Sequence, residues 1–209
     1  MKAMDHDEIE VKYFLEDLKA IRDRIMGLGA VSCGRVFETN VRYEDDEKTL
    51  IRNKQLLRLR HDGKTTLTFK TKPPQKDQAK NQAKENDGFK VQRELEVEVN
   101  DFDTMDAILG LLGFQKEQIY EKWRETFTIG ETLFCLDSMP YGDFLEIEGK
   151  RDAIVKYSDK IGFLEKDRIL DNYLGLFEKV KEKFDLPFSD VTFDNFKNLD
   201  IDPSVLFKS

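Results

Sequence analysis

Histidine and cysteine are nearly missing from this chain of 209 residues, which has two of each. His6 and His61 form neither an HExxH pair nor part of a triad, so zinc hydrolysis of that type and serine or cysteine nucleophile chemistry have no support. Cys33 and Cys135 stand too far apart for metal-ligand spacing and read as reduced, mostly buried thiols. A Walker A loop is missing too: Gly142 to Lys150 has the wrong spacing and no Ser or Thr after the Lys. No apolar run approaches the roughly 18–20 residues of a spanning helix, and Met1 to Glu10 lacks the apolar stretch of a secretory signal. Positive charge is outnumbered, 34 Lys and Arg against 42 Asp and Glu, for a net charge of −8. That sign argues against a general binder of nucleic acid or anionic membrane. The expectation is a soluble cytoplasmic protein with no nucleic-acid and no membrane partner, in which any polyanion is met by a local concentration of basic side chains. The sequence leaves a homodimer open.

What the chain has instead is charge, 36% of its residues, in a repeated pattern. Glu8-Ile9-Glu10, Glu94-Leu95-Glu96 and Glu146-Ile147-Glu148 each lie on a strand-like stretch that leads into an amphipathic segment and a Gly. Residues i and i+2 of a strand share a face, so each pair presents two carboxylates on one side and apolar neighbours on the other. The remaining strands read the same way. Arg58 and Arg60, then Thr66, Thr68 and Lys70, flank an Asp62-Gly63 turn; Lys122 and Arg124 follow on a later strand. Helices are expected over 15–28, 102–112, 153–161 and 172–184. Residues 73–88 form a polar connection that starts at Pro73-Pro74 and reads as a linker or a lid. Glu8 to Gly29 and Glu94 to Gly113 look like one duplicated unit. The expected organisation is one domain over 1–184, made of similar halves at about 7–100 and 101–184, with a tail at 185–209 packed on it.

Two architectures fit this pattern. One is an open antiparallel sheet with a solvated face of cross-strand ion pairs. The other is a closed barrel whose apolar side faces outward under covering helices, so that the charges line a tunnel. Across the whole set the first weakens, because a merely wet face would carry more Ser, Gln and Asn. A cavity with basic residues on one side and carboxylates on another suits a polyphosphate carrying metal ions. Hard oxygen ligands select Mg²⁺ or Mn²⁺, and Arg and Lys hold phosphate oxygens. Water could then be the nucleophile, and no side-chain nucleophile is evident.

These residues resemble the CYTH superfamily, the triphosphate tunnel metalloenzymes. The resemblance runs through Glu8-Ile9-Glu10-Val11-Lys12 (an ExExK motif), Leu57-Arg58-Leu59-Arg60, Leu67-Thr68-Phe69-Lys70, Arg93-Glu94-Leu95-Glu96, Lys122-Trp123-Arg124, Leu136-Asp137 and Gly142 to Glu148, covering roughly 7–180. It implies an α+β fold, an eight-stranded antiparallel β-barrel with a charged interior covered by helices. It also implies divalent-metal-dependent action on a triphosphate, with Mg²⁺ or Mn²⁺ as cofactor. By it, Glu8, Glu10, Glu146 and Glu148 are metal-side acids, with Glu96 and Asp137 as further candidates. Lys12, Arg58, Arg60, Lys70, Lys122 and Arg124 hold phosphates, and Glu10, Lys12 and Glu148 are the candidate catalytic set. The family divides between hydrolases of inorganic, thiamine or nucleoside triphosphates and class IV adenylyl cyclases. Such cyclases are associated with a His-Phe pair before ExExK; here Met4-Asp5-His6-Asp7 stands there, which turns the expectation toward hydrolysis, inorganic triphosphate first. Cyclisation of ATP and a non-catalytic polyphosphate-binding module are the alternatives.

Overall fold

A computed structural model of the chain describes residues 4–73 and 88–207. Its elements run β1 (Met4–Leu15), α1 (Leu18–Gly27), β2 (Val31–Glu44), α2 (Thr49–Arg52), β3 (Leu56–His61), β4 (Thr65–Thr71), β5 (Lys90–Val99), α3 (Phe102–Leu111), β6 (Gln115–Ile129), β7 (Thr132–Met139), β8 (Gly142–Glu148), α4 (Arg151–Ile161), a 3₁₀ turn (Glu165–Asp167), α5 (Tyr173–Phe184), α6 (Phe193–Phe196) and α7 (Ser204–Phe207). The eight strands form one antiparallel sheet that closes on itself in the order β1-β5-β4-β3-β2-β6-β7-β8. The linker or lid expected at 73–88 falls almost entirely outside the described residues.

The chain packs as two compact units, residues 4–8, 38–73 and 91–120 in the first and 9–37, 88–90 and 121–207 in the second. In the first, Val41, Tyr43, Leu57 and Leu59 of β2 and β3 pack with Leu50 of α2 and Leu109 of α3. In the second, Val11 and Tyr13 of β1, Phe127 of β6, Phe134 and Leu136 of β7 and Leu145 and Ile147 of β8 pack with Ile25 of α1 and with Ile154 and Ile161 of α4. The alternate positions of the same strands are charged and buried as well: Glu8, Glu10, Lys12, Arg58, Lys122 and Glu146. A sheet open on one side would leave that second face wet, so the solvated-face architecture is excluded. Closure hides the polar face, while the helices cover the apolar one.

Matching local chemistry shapes the start of α1 and α3. Asp17 caps α1 by accepting from the Ala20 N–H at 2.9 Å, and Asp101 caps α3 by accepting from Thr104 at 2.7 Å. Each helix ends on a Leu followed by a left-handed glycine, Gly29 (φ 84°) and Gly113 (φ 91°), which lets the chain turn straight into the next strand.

Helix α2 has no apolar periodicity and was not expected. A buried carboxylate makes it: Glu44 accepts from Leu50 N–H (2.9 Å) and Ile51 N–H (2.8 Å), while Asp45 takes Thr49 N–H at 2.8 Å. Cys33 departs from expectation as well. Residues 31–37 of β2 are exposed on both faces, so this thiol meets solvent. Cys135 is buried, and burial pushes its thiol up to about 12.

The last residues are held by specific contacts within the second unit. Glu121 on β6 donates its N–H to the Val191 carbonyl and accepts from Phe193 N–H, each at 2.9 Å. Phe196 lies among Tyr141, Phe177 and Phe188, and Phe207 against Phe14 and Phe144. Among the described residues no helix is long and apolar enough to cross a membrane.

Candidate active site

The charged face of the first unit gathers around Lys70 and Arg58. Lys70 on β4 meets Glu8 at 2.6 Å and Glu94 at 3.2 Å. Arg58 on β3 donates to the Tyr120 hydroxyl and to Thr68 Oγ1, both at 3.2 Å, and lies 3.6 Å from Glu96 and 3.9 Å from Glu94. Thr68 in turn donates to Glu96 at 2.7 Å. Arg60, one alternation further along β3, instead pairs with Asp62 of its own turn at 3.2 Å.

Two adjacent acids on β5 are pushed in opposite directions by these surroundings. Burial, with repulsion from Glu8 and Glu96, raises the Glu94 carboxyl above its ordinary range against the pull of Lys70 and Arg58. For Glu96, burial is outweighed by the Thr68 hydrogen bond and by Arg60, Arg58 and Lys70, and the carboxyl is lowered. Burial also works against the Arg58 charge, yet Tyr120, Glu38 and Glu94 more than compensate and hold the guanidinium firmly ionised.

A sign follows for Glu94. A carboxyl whose folded pKa lies above its ordinary 4.5 binds its proton more tightly when folded, so its contribution to stability falls as pH rises through the window above 4.5. Glu94→Gln is therefore expected to melt above wild type at pH 7 without metal, with the difference vanishing below pH 4.5. Thermal melts across that range check this; a variant no more stable than wild type at pH 7 would contradict it.

In the second unit the charges converge on Asp137 and Glu146. Asp137 of β7, with no exposed surface, accepts from Lys122 Nζ at 3.0 Å, from Arg124 Nε at 2.6 Å and Nη2 at 2.5 Å, and from the Tyr173 hydroxyl at 2.7 Å. Glu146 of β8 accepts from Arg124 Nη2 at 2.5 Å and pairs with Lys12 Nζ at 2.9 Å. Burial would raise the Glu146 carboxyl, but Lys12, Arg124 and Lys122 overcome it and hold the group well below the ordinary carboxylate range. Glu10 pairs with Lys90 at 2.6 Å, and in the β1–β8 register Glu10 stands opposite Glu148.

The structure brings Glu8, Lys70, Arg58 and Glu96 together in one unit, and Lys12, Lys122, Arg124, Asp137 and Glu146 in the other. It leaves Arg60 with its own turn. Glu94, read from the sequence as half of the Glu94-Leu95-Glu96 pair, meets Lys70 here; Lys90, Glu38, Asn40 and Tyr173 lie with the same polar faces and were not singled out. Glu38 and Asn40 could have been found, since they alternate on β2 as buried polar positions at 1% and 0% exposure. Tyr173 gave no strand signal because it opens a helix.

Metal binding can be tested only on the donors. Among the described residues no three acidic, His or Cys side chains are gathered around one point as they stand. Glu10 and Glu148 are opposed in register, with Lys90 paired to Glu10 at 2.6 Å. All of the candidate donors are carboxylate oxygens, so the set fits a hard divalent ion such as Mg²⁺ or Mn²⁺.

An eight-stranded antiparallel sheet closed on itself, apolar outside beneath helices and charged within, defines the fold class. The model of the CYTH domain matches residues 6–172, so the chain belongs to the CYTH domain family. Among solved structures it is similar to a Pyrococcus horikoshii protein, 28% identical over 79% of this chain and 96% of that one, with a TM-score of 0.63. It is also similar to a candidate adenylate cyclase from Vibrio parahaemolyticus (19% identical, 82% and 97% covered, TM-score 0.66). A third similar structure is a candidate adenylyl cyclase from Hippeastrum described by its dominant triphosphatase activity (16% identical, 83% and 96% covered, TM-score 0.57). No curated protein matches the chain.

Proposed function

We propose that this protein is a divalent-metal-dependent triphosphatase, with inorganic triphosphate as its first substrate. The observation that carries the reading is the burial of Lys12 and Lys122, each 2% exposed, together with Arg124 on the charged face of a closed sheet. Burying cations is costly unless they are paired or serve an anion, and three on one face beside two carboxylates suit a polyphosphate that exchanges with those acids. Family membership and the triphosphatase activity of the Hippeastrum protein support the same chemistry.

Glu10 and Glu148, with Glu146 beside them on β8, would hold Mg²⁺ or Mn²⁺; Glu8, Glu96 and Asp137 are further candidate ligands. When bound, the ion supplies Lewis acidity at phosphate oxygens. The chain's own groups do the remaining work. Lys12, Lys122 and Arg124 would neutralise phosphate oxygens and fix the chain of phosphates for attack, and the family resemblance adds Arg58, Lys70 and Arg60 as further phosphate-binding candidates. Water adds to the terminal phosphorus, the bridging P–O bond breaks, and diphosphate carries away the electron pair while the water proton passes to solvent. Cations aimed at the bridging oxygens lower the barrier because charge builds there in the transition state.

The test is a parallel product assay with Mg²⁺ or Mn²⁺, giving inorganic triphosphate in one reaction and ATP in the other. Orthophosphate from triphosphate with no cyclic AMP from ATP is expected. Cyclic AMP with equal diphosphate would overturn the hydrolase in favour of a cyclase, and no product from either would favour a binding module. Because Arg60 pairs with Asp62 of its own turn, Arg60→Ala is expected to raise the KM for triphosphate by only about threefold to tenfold, the scale of one charged hydrogen bond. An unchanged KM and kcat would remove Arg60 from the site.

A further inference from the structure

Tyr173 opens helix α5, outside every strand, yet its side chain ends among the buried charges of the second unit. Its hydroxyl donates to Asp137 Oδ2 at 2.7 Å, the same oxygen that takes Lys122 Nζ at 3.0 Å. Its ring lies beneath two ammonium groups, Lys12 Nζ 4.1 Å and Lys122 Nζ 5.1 Å from the centroid. The backbone around it is pinned. Ile169 N–H donates to the Lys12 carbonyl at 2.8 Å, Lys12 Nζ donates to the Asp171 carbonyl at 3.3 Å, and the buried Tyr141 hydroxyl donates to the Tyr173 carbonyl at 2.7 Å. Asn172 caps the helix, accepting from Gly175 N–H at 2.8 Å.

We propose that Tyr173 is a positioning residue for the phosphate-binding lysines: its hydroxyl satisfies Asp137 and its ring carries Lys12 and Lys122, so that both ammonium groups can be given to an incoming phosphate. The reason is a competition for protons on nitrogen. Asp137 is a buried carboxylate that must be fully hydrogen-bonded. A neutral O–H supplies one of those bonds without adding charge. Remove it, and among the described residues the carboxylate is left with Lys122 and Arg124 to draw upon, which ties their N–H groups to the protein and away from substrate. The ring adds a second effect. Both ammonium groups lie close to the ring centroid, and its quadrupole attracts each of them, which offsets part of the cost of holding two cations there before an anion arrives.

This inference rests on the triphosphatase reading, and two substitutions separate the two. Tyr173→Phe keeps the ring and deletes the donor; Tyr173→Leu deletes both. The first measurement is calorimetric binding of inorganic triphosphate in EDTA, where no metal contributes. The second is the KM and kcat split with Mg²⁺ present. Tyr173→Phe is expected to weaken the Kd and raise KM by about tenfold, the value of one hydrogen bond to a charged group, with a smaller change in kcat. Tyr173→Leu is expected to weaken binding by a further threefold to tenfold or so from the lost cation–π contacts. A merely structural role would act differently: a partly unfolded variant lowers binding stoichiometry and apparent kcat and leaves Kd and KM unchanged. If wild type binds triphosphate and Tyr173→Phe binds it equally well, the positioning role is wrong and the triphosphatase reading stands. If wild type itself neither binds nor hydrolyses triphosphate, both are wrong.

Discussion

Glu146→Gln is expected to abolish measurable triphosphate turnover, a fall on the order of 10²–10³ or more in kcat/KM, and to destabilise the protein by about 3–5 kcal/mol at pH 7. The two effects share one cause. Glu146 is buried between Lys12 at 2.9 Å and Arg124 at 2.5 Å, so a neutral amide leaves the buried Lys12 short of its counter-charge and Arg124 with Asp137 alone of these two acids. Removing one partner of a buried pair costs far more than the pair contributes, because the remaining charge has lost its solvation. The direction with pH is fixed by the carboxyl being held well below its ordinary 4.5. Such a group contributes stability above pH 4.5 and loses it as pH falls through the folded pKa, where the native state must take up a proton. Urea denaturation of wild type and variant at pH 7 and in steps below pH 4.5 should show the gap closing as pH falls. A constant gap across that range, or a variant as stable as wild type at pH 7, would remove Glu146 from its place at the centre of this network. Phosphate release measured in parallel reports the catalytic half of the prediction.

Glu10→Gln is expected to separate those halves. Turnover should drop by about 10²–10³, the scale of losing a preorganised electrostatic contact, and metal titrations should show a higher half-saturating Mg²⁺ or Mn²⁺ concentration. Stability should barely change. Glu10 gives up its pair with Lys90, whose side chain is 21% exposed and so partly screened, and in exchange the like-charge opposition to Glu148 across β1 and β8 is relieved. A near-wild-type rate with an unchanged metal requirement would sink Glu10 as a ligand. Paired with Glu146→Gln, the experiment distinguishes an acid that serves the ion alone from one that also organises the cations. One variant loses activity with its fold intact, and the other loses both.

Much of this site is legible along the strands, because strand geometry is local. Glu8, Glu10 and Lys12 share a face by alternation alone, as do Arg58 and Arg60, Lys122 and Arg124, and Glu146 and Glu148. Both the buried charge on one face and the buried Val11, Tyr13, Leu145 and Ile147 on the other follow from the same period of two. Where a residue acts from outside a strand, no period announces it. Tyr173 is the first residue of a helix, Lys90 begins β5 after a polar stretch, and α2 exists because Glu44 reaches forward to cap it. Ionic partners were illegible as well. Arg58 and Arg60 look equivalent in sequence, yet one meets Glu94 and Glu96 while the other meets Asp62. Side-chain length and turn geometry decide that, and neither is visible in the order of residue types.

By itself the sequence determined which faces are charged, which are apolar and which acids and bases share a strand, since each depends only on neighbours two residues apart. Closure of the sheet was decided by tertiary structure, and with it the burial of the charged face. Tertiary structure also decided that Asp137 is satisfied by Lys122, Arg124 and a tyrosine 36 residues further along the chain. The physical reason is the same in each case: the cost of a buried charge depends on every group that surrounds it in space, and those groups come from strands and helices far apart in sequence.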